Sequence, residues 1–235
     1  ADFFVPTYSS TSCQIKDLYP YKLSQADQIC MPFLQRHDVS NSLRSLKSIK
    51  CPGPDGIPNI ILKYCSETLA LPLTILFNYS LKFGHFPTFW KKSYIIPLHK
   101  SGSLTNVSNY RGIAKLSAIP KLFEKLITAV ISLKIQSILS PYQHGFRSGL
   151  STTTNLIQFT STVIKGFVQR KQTDTIYTDF SKAFDRVNHE LLIYKLNYMG
   201  FNTNLVKWIS SYLEDRSQLV LFEGYLSKTI NVPSG

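Results

Sequence analysis

The feature that most constrains how this chain can fold is a cluster of two prolines and two glycines at 51–56, in the order Cys-Pro-Gly-Pro-Asp-Gly. Both residue types disrupt a helix interior, so no helix can continue through this point. Apolar residues recur at helical spacing on both sides, which predicts helices over 39–49, with Ser40 as the N-cap, and over 58–65. The cluster therefore predicts a turn between two helices.

The rest of the chain alternates between helical and strand-like patterns. Further helices are predicted at 67–83, 120–139, 151–170 and 205–213. Gly84 is placed to end the first of these. Strands are predicted at 92–98, at 175–180, and as a hairpin of 218–222 with 225–232. The chain has no internal repeat at the period of roughly 20–50 residues that defines solenoids.

Composition excludes several classes of protein. The chain of 235 residues is 43% apolar and 17% charged, too apolar for a disordered chain and too poor in proline and glycine for a fibrous one. Its longest apolar run, at 69–77, is far shorter than the roughly 20 residues of a membrane-spanning helix, so no membrane partner is predicted. The chain begins without an initiator Met or an apolar leader, and we expect it to be a piece of a longer protein.

The cysteines predict reduced thiols rather than a disulfide or zinc framework. They lie in the first third of the chain at wide spacings, without histidines to pair with them: Cys13, Cys30, Cys51 and Cys65. We expect them to be buried, as free cysteines usually are. This pattern suits an intracellular protein, nuclear or cytoplasmic, that is not secreted.

Positive charge is concentrated in the middle of the chain, which has a net charge of +12. Residues 101–178 carry nine basic and two acidic side chains, whereas 179–235 carry six of each. Such a surplus attracts phosphate, because binding releases counterions. A solvated helical face has the same composition, and the charge alone leaves both interpretations open.

The segment 177–189 places a carboxylate at the end of a predicted strand. Asp179 stands where a strand presents a side chain to a cleft, although a lone aspartate there more often caps a turn or helix. As a metal ligand it would hold Mg²⁺, and two-metal phosphoryl transfer needs at least one further carboxylate nearby. Asp185 lies six residues further on, across a predicted bend, and is expected to cap a helix.

Nine segments carry a resemblance to a known family, and they occur in that family's order: 50–58, 86–91, 96–100, 109–113, 121–125, 143–149, 179–189, 212–216 and 232–235. They resemble the reverse transcriptases of non-LTR (LINE-type, jockey-like) retrotransposons. The run Asp-Phe-Ser-Lys-Ala-Phe-Asp-x-Val-x-His is similar to LINE-type enzymes rather than to retroviral or telomerase ones. The order of nine segments makes the resemblance more specific than any single motif.

The resemblance implies an α+β fold of the right-handed polymerase type. It divides the chain into an N-terminal arm at 1–38, helical fingers with a short sheet at 39–172 and a partial palm at 173–235. It implies an RNA-directed DNA polymerase that uses an RNA template, a DNA primer and a dNTP. In that reaction the primer 3′-hydroxyl attacks the α-phosphate at a site with two Mg²⁺ ions.

The resemblance also assigns roles to individual residues. Asp179 and the backbone carbonyl of Phe180 match the metal ligands, and Phe184 matches the aromatic residue that rejects a ribose 2′-hydroxyl. Arg111 and Arg147 match finger residues near the triphosphate and the template. Gln143 is a candidate for a contact with the template, and three lysines are generic candidates for contacts with the nucleic-acid backbone: Lys91, Lys92 and Lys100. Without the resemblance, Phe184 is interpreted as a core aromatic and the two arginines as surface cations.

Three departures from the family pattern shape the functional expectation. Gly112 replaces a proline and Ser234 replaces a glutamine, and by comparison with the family pattern we expect the given chain to stop before the Asp-Asp box and the thumb. We therefore expect the parent protein to be a polymerase and this chain by itself to be inactive, since Asp179 lacks its partner carboxylates. The alternatives are a non-catalytic remnant that binds RNA or an RNA/DNA hybrid, and a relic without selected activity. The sequence predicts no oligomeric state.

Overall fold

The computed structural model describes residues 29–136 and 138–235, so positions 1–28 of the predicted arm, with Cys13, lie outside the described residues. The helices are α1 Arg36–Arg44, α2 Asn59–Tyr64, α3 Ser66–Phe83, α4 Ala118–Ile135, α5 Thr152–Val168, α6 His189–Tyr198 and α7 Thr203–Leu213. The strands are β1 Lys92–His99, β2 Tyr110–Lys115, β3 Ser217–Phe222, β4 Tyr225–Leu226 and β5 Ile230–Asn231. Helices with a small mixed sheet confirm the predicted α+β class.

The predicted helices form, with some shifted ends. α3 ends at Gly84, whose φ of 64° is the left-handed conformation that glycine adopts after a helix. α1 begins earlier than predicted, and Ser40 is not its N-cap; the Ser40 hydroxyl instead donates to the Glu67 carboxylate of α3 at 2.7 Å. The Asp38 carboxylate accepts a hydrogen bond from the Gln35 N–H at 3.1 Å, which places the start of the helix before Ser40.

The sheet is organised around β1, which pairs antiparallel with β2 and parallel with β3. Leu98 lies opposite Arg111 in the β1–β2 register. The predicted hairpin is confirmed: Glu223 and Gly224, with φ of 50° and 85°, form the tight turn from β3 to β4. Its predicted second strand, 225–232, is divided into β4 and β5, and both pair with β3.

Two strand predictions fail because a strand forms only where a neighbouring strand supplies its hydrogen-bond partners. β2 is not predicted, since Tyr-Arg-Gly-Ile-Ala-Lys contains a glycine and two cations, yet it pairs along β1. The strand predicted at 175–180 is wrong: that segment is irregular and exposed. Within the described residues no strand pairs with it, and its backbone groups are left to water.

Packing divides the described residues into two compact units, the first made of 29–131 and 182–235 and the second of the described residues within 132–181. In the second unit α5 begins at its predicted N-cap, where the Ser151 hydroxyl accepts from the Thr154 N–H at 3.2 Å. No residue of α5 is buried. The division into fingers and palm suggested by the resemblance stays a prediction.

The core of the first unit is an aromatic cluster. Phe77 and Phe123 stack with their ring centroids 4.2 Å apart. Phe86 meets Trp208 edge to face at 5.5 Å, and the Trp208 Nε1–H donates to the Ser80 hydroxyl at 2.9 Å. These contacts join α3, α4 and α7 to the segment before β1, so the resemblance segment that contains Phe86 belongs to the core.

Two further features can be compared with the sequence analysis: the exposure of the cysteines and the length of the apolar helices. The cysteines at 30, 51 and 65 are exposed, so the prediction of buried thiols is wrong for these three. In the part of the chain that the structure describes, no helix has the length and apolar character to cross a bilayer. This agrees with the short apolar runs of the sequence.

Candidate nucleic-acid interface

Asp179 lies in an irregular, exposed segment of the second unit. This segment follows α5 closely, because the Lys171 N–H donates to the Gly166 carbonyl at 2.9 Å. Further along, the Tyr177 ring contacts Phe159 of α5, with 6.2 Å between centroids. These contacts anchor the segment to α5 and leave the Asp179 carboxylate in solvent.

The oxygen donors at this position suit a hard divalent cation. A carboxylate from Asp179 and the carbonyl of Phe180 are the ligand types that Mg²⁺ prefers, and the Phe180 side chain is 84% exposed. No group of three or more His, Cys, Asp or Glu side chains comes together within residues 29–136 and 138–235. The predicted magnesium ligands are thus of the right oxygen-donor type, and their role as ligands stays a prediction.

The turn at 181–186 presents Phe184 to solvent. The ring is 71% exposed, which rules out the interpretation of Phe184 as a core aromatic. Asp185 does not cap the following helix, so that prediction is wrong; the Asn188 side chain caps α6 and accepts from the Leu191 N–H at 2.8 Å. Phe184 therefore lies at the surface, close in sequence to the start of α6.

Two resemblance segments that lie far apart in sequence meet in the first unit. The Ser234 hydroxyl, in a residue 1% exposed, donates to the Asp185 carbonyl at 2.9 Å. The Gly235 N–H donates to the Val187 carbonyl at 3.1 Å, and the His189 ring Nε2 lies 3.0 Å from the Gly235 carbonyl oxygen. Serine at the family's glutamine position thus has a buried structural contact here.

The β1–β2 hairpin carries most of the predicted finger cations. Arg111, Lys92 and Lys100 are exposed, and the hairpin loop is closed by a hydrogen bond from the Lys100 N–H to the Asn109 carbonyl at 2.7 Å. Lys91 differs, since it is only 5% exposed in the short helix before β1. In this structure its ammonium group is not offered to a phosphate.

Arg147 secures the loop that follows α4. Its guanidinium donates to the carbonyls of Ser140, at 2.8 Å, and Gln136, at 3.2 Å. The guanidinium group has further N–H donors that these two hydrogen bonds do not use. Gln143, in the same loop, is exposed, and its amide donates to the Gly145 carbonyl at 3.4 Å.

The sequence patterns miss two exposed aromatic residues in this loop. Tyr142 and Phe146 flank Gln143 and precede Arg147, and the Phe146 side chain is 96% exposed. Aromatic rings interleaved with cations form stacking surfaces for unpaired bases. The signal was present in the sequence as Tyr-Gln-His-Gly-Phe-Arg, but only the tertiary structure shows that the rings are not core.

A polar cluster inside the first unit joins two further resemblance segments. Burial raises the pKa of the Glu124 carboxyl, and the nearby Arg216 and a hydrogen bond from Tyr212 lower it in part. Burial, and next the Glu124 charge, raise the pKa of Tyr212 to about 12. The Arg216 guanidinium lies 4.4 Å from the centre of the Tyr212 ring and donates to the Tyr212 carbonyl at 3.0 Å. The cluster fixes the start of β3 against α4 and α7.

The described residues combine an α+β fold and an exposed carboxylate with loops that display arginine, lysine and aromatic side chains, which are groups that can contact phosphates and bases. Residues 98–232 match the sequence profile of the family described as reverse transcriptase (RNA-dependent DNA polymerase). The matched range covers more than half of the chain and contains Asp179, Arg111 and Arg147. The chain belongs to the reverse transcriptase family.

Relatives in Drosophila melanogaster agree with this assignment. The chain is 31% identical over 82% of its length to the probable RNA-directed DNA polymerase from transposon BS. It is 30% identical over 100% of its length to that from transposon X-element, and 29% identical over 84% to the RNA-directed DNA polymerase from mobile element jockey. The homology to jockey-like, non-LTR elements confirms the resemblance. The chain spans 22% to 26% of the length of these relatives.

Proposed function

We propose that this chain provides the fingers and the front of the palm of an RNA-directed DNA polymerase encoded by a jockey-like retrotransposon. The observation that carries the proposal is the family match over 98–232, which contains an exposed Asp179. A non-catalytic binding remnant is not favoured, because the relatives matching 82% to 100% of the chain are named as polymerases.

In this proposal Asp179 and the Phe180 carbonyl hold Mg²⁺. Reverse transcriptases generally use divalent metal, and an ion bound here would supply positive charge for ionising the primer hydroxyl and for stabilising pyrophosphate. Arg111 and Arg147 neutralise the triphosphate, and Arg147 retains donors for this role beyond its two loop bonds. Phe184 contacts the sugar and excludes a ribose 2′-hydroxyl by its bulk. Each role uses a group that the structure leaves accessible.

The template contacts follow from the exposed loop and hairpin. Tyr142 and Phe146 stack on unpaired RNA bases beside Gln143, whereas Lys92 and Lys100 contact phosphates. These contacts do not read sequence, so template binding is expected to weaken steeply with salt and to vary little among RNA sequences.

A chimera tests the catalytic proposal. The homologous segment of the jockey polymerase is replaced by this chain, and primer extension is measured on an RNA template with and without Asp179→Asn. We expect the chimera to extend the primer, and Asp179→Asn to reduce extension by about a thousandfold or more, since the variant removes a charged metal ligand.

Asp174→Asn is the matched control, because Asp174 is exposed in the same segment and its carboxylate accepts from the Gln172 amide at 2.6 Å. This variant should extend the primer at the rate of the unmodified chimera. Undiminished extension by the Asp179→Asn chimera, or equal loss in both variants, contradicts the assignment of Asp179.

A further inference from the structure

A cavity of about 520 Å³ lies in the first unit, between the segment after α1, the turn at 51–56 and the beginning of α4. Its volume falls within the roughly 300–1,000 Å³ of small-molecule sites. None of the residues assigned to the proposed polymerase site lines this cavity. Its chemistry therefore needs a separate explanation.

The residues that line the cavity include no aspartate or glutamate of the described chain, but they include four lysines: Lys47, Lys115, Lys121 and Lys125. Across residues 29–136 and 138–235, none of the four forms an ion pair. Lys121 attracts the charge of Glu124, but that carboxyl is hydrogen-bonded to Tyr212 in the buried cluster. Like charges around one cavity repel each other, and a bound anion would remove this repulsion.

The beginning of α4 strengthens the positive potential. Lys121 and Lys125 lie on the first two turns of an 18-residue helix whose first turn has no acidic residue. The helix dipole is positive at this end and stabilises carboxylates rather than lysines there. Two lysines near the positive end of the dipole destabilise the helix by charge repulsion, and a bound anion would offset this repulsion.

The remaining walls suit an anion that carries an apolar part. Leu46, Leu116 and Leu122 line the cavity beside the lysines. At the rim, the Lys115 ammonium donates to the exposed Cys51 sulfur at 3.0 Å. A nucleotide combines a phosphate with a ring that stacks on apolar side chains, and it matches both kinds of wall.

We propose that this lysine-lined cavity binds a nucleotide phosphate, as a nucleic-acid contact additional to the polymerase site. The proposal rests on the proposed function only in naming an RNA strand as one source of that phosphate; a free nucleotide is the other source. The four lysines supply the charge, and the leucines contact the sugar or base.

The first experiment measures binding of a fluorescein-labelled oligouridylate to the full chain by anisotropy, over a range of salt concentrations. The cavity variant is Lys115→Gln, Lys121→Gln and Lys125→Gln together. The control variant changes three lysines outside the cavity, Lys63→Gln, Lys207→Gln and Lys228→Gln, and loses the same charge.

We expect the cavity variant to bind about tenfold more weakly and its salt slope to fall by about 2, whereas the control stays within about twofold of the native chain. Equal weakening of both variants, or no weakening of either, overturns the proposal. The same thermal melting curve for the native chain and the cavity variant shows that lost binding is not lost folding.

A second readout needs no variant. The rate of Cys51 alkylation by iodoacetamide is followed by mass spectrometry with oligouridylate, uridine monophosphate or inorganic phosphate, and exposed Cys65 serves as the internal control. We expect protection of Cys51 alone. Protection by the monophosphate identifies a free nucleotide as the source, and protection by the strand alone identifies RNA. Unchanged alkylation of Cys51 with all three probes overturns the proposal.

These outcomes are independent of the catalytic test. A chimera that extends primers despite Asp179→Asn contradicts the proposed role of Asp179, while Cys51 protection by the monophosphate still supports the cavity proposal. Conversely, an active chimera with unprotected Cys51 leaves the proposed function standing and removes the cavity site.

Discussion

The carboxyl group of Glu124 shows how one residue links two resemblance segments. It is mostly enclosed by α4 and α7, receives a hydrogen bond from Tyr212 and is attracted to Arg216. One of its oxygens, Oε1, is buried without a hydrogen-bond partner among the described residues. Because burial opposes the charged form more than Arg216 favours it, the pKa of Glu124 is raised.

We expect Glu124→Gln to gain stability relative to the native chain as the pH rises. The pKa of Glu124 in the folded protein exceeds the ordinary 4.5. At a pH between the ordinary pKa and the raised pKa, Glu124 is therefore ionised in the unfolded chain and still protonated in the folded protein. The native protein therefore loses stability as the pH rises through this window, whereas glutamine does not titrate. Urea unfolding midpoints between about pH 4 and pH 7 measure the difference.

The control for this effect is Glu223→Gln, in the exposed turn between β3 and β4. This variant removes one carboxylate outside the Glu124 cluster, and so it controls for the change in net charge. A constant difference between the Glu124→Gln variant and the native chain, or one that shrinks as the pH rises, would contradict the assigned sign.

At the scale of elements, the helix caps separate predictions that need only local sequence from those that need geometry. Ser151 caps α5 as predicted, because its hydroxyl reaches an N–H three residues later. For α6 the sequence predicts Asp185 as the cap, whereas the structure has Asn188 there, and either type of side chain can cap. Asp185 lies within the turn at 181–186, and the helix begins only after Asn188.

Replacing Asn188 by alanine should destabilise the first unit by about 1 kcal/mol, the usual cost of losing an N-cap. Asp185→Ala, at the position that the sequence pattern favours, keeps the backbone carbonyl that Ser234 uses and should cost less. Urea unfolding followed by far-UV circular dichroism compares the two variants. A larger loss for Asp185→Ala would show that the cap is misassigned.

At the scale of the whole molecule, the two compact units differ in how much they bury. The first contains the stacked aromatic cluster, with Phe77, Phe86 and Phe123 fully enclosed. In the second, α5 has no buried residue, and residues 171–180 are irregular. Stability should therefore be concentrated in the first unit, because apolar burial is the dominant favourable contribution to folding.

Phe123→Ala should destabilise the first unit by about 3–5 kcal/mol, because it removes a ring that contacts Phe77, Phe86 and Trp208 and leaves a cavity. Phe146→Ala, at a residue that is 96% exposed, removes little buried apolar surface and should cost much less stability than Phe123→Ala. Urea unfolding monitored by tryptophan fluorescence tests both. Similar losses in the two variants would contradict the assignment of the core.

Amide hydrogen exchange should be faster in α5 than in α3. Both helices are long, so the difference depends on burial: α3 places Leu73, Phe77 and Leu81 in the core, whereas α5 has no fully buried residue. Exchange resolved by peptide mass spectrometry provides the measurement. Equal protection of the two helices would mean that α5 is stabilised by contacts other than burial.

The sequence by itself determined the features that depend on nearby residues. The turn at 51–56, the end of α3 at Gly84, the cap of α5 at Ser151 and the β3–β4 hairpin follow from local backbone preferences and short-range hydrogen bonds. Nine ordered motifs likewise identified the family before any geometry was known, because motif order is a property of the sequence itself.

Only the tertiary structure decided which strands form and which side chains are accessible. β2 exists because β1 lies beside it, and 175–180 is irregular because no described strand does. Lys91 is buried although lysines are usually exposed. Phe184, Phe146 and the three described cysteines are exposed although such residues are usually buried. Strand pairing and burial are set by distant residues, and a pattern read along the chain carries no information about which distant residues meet.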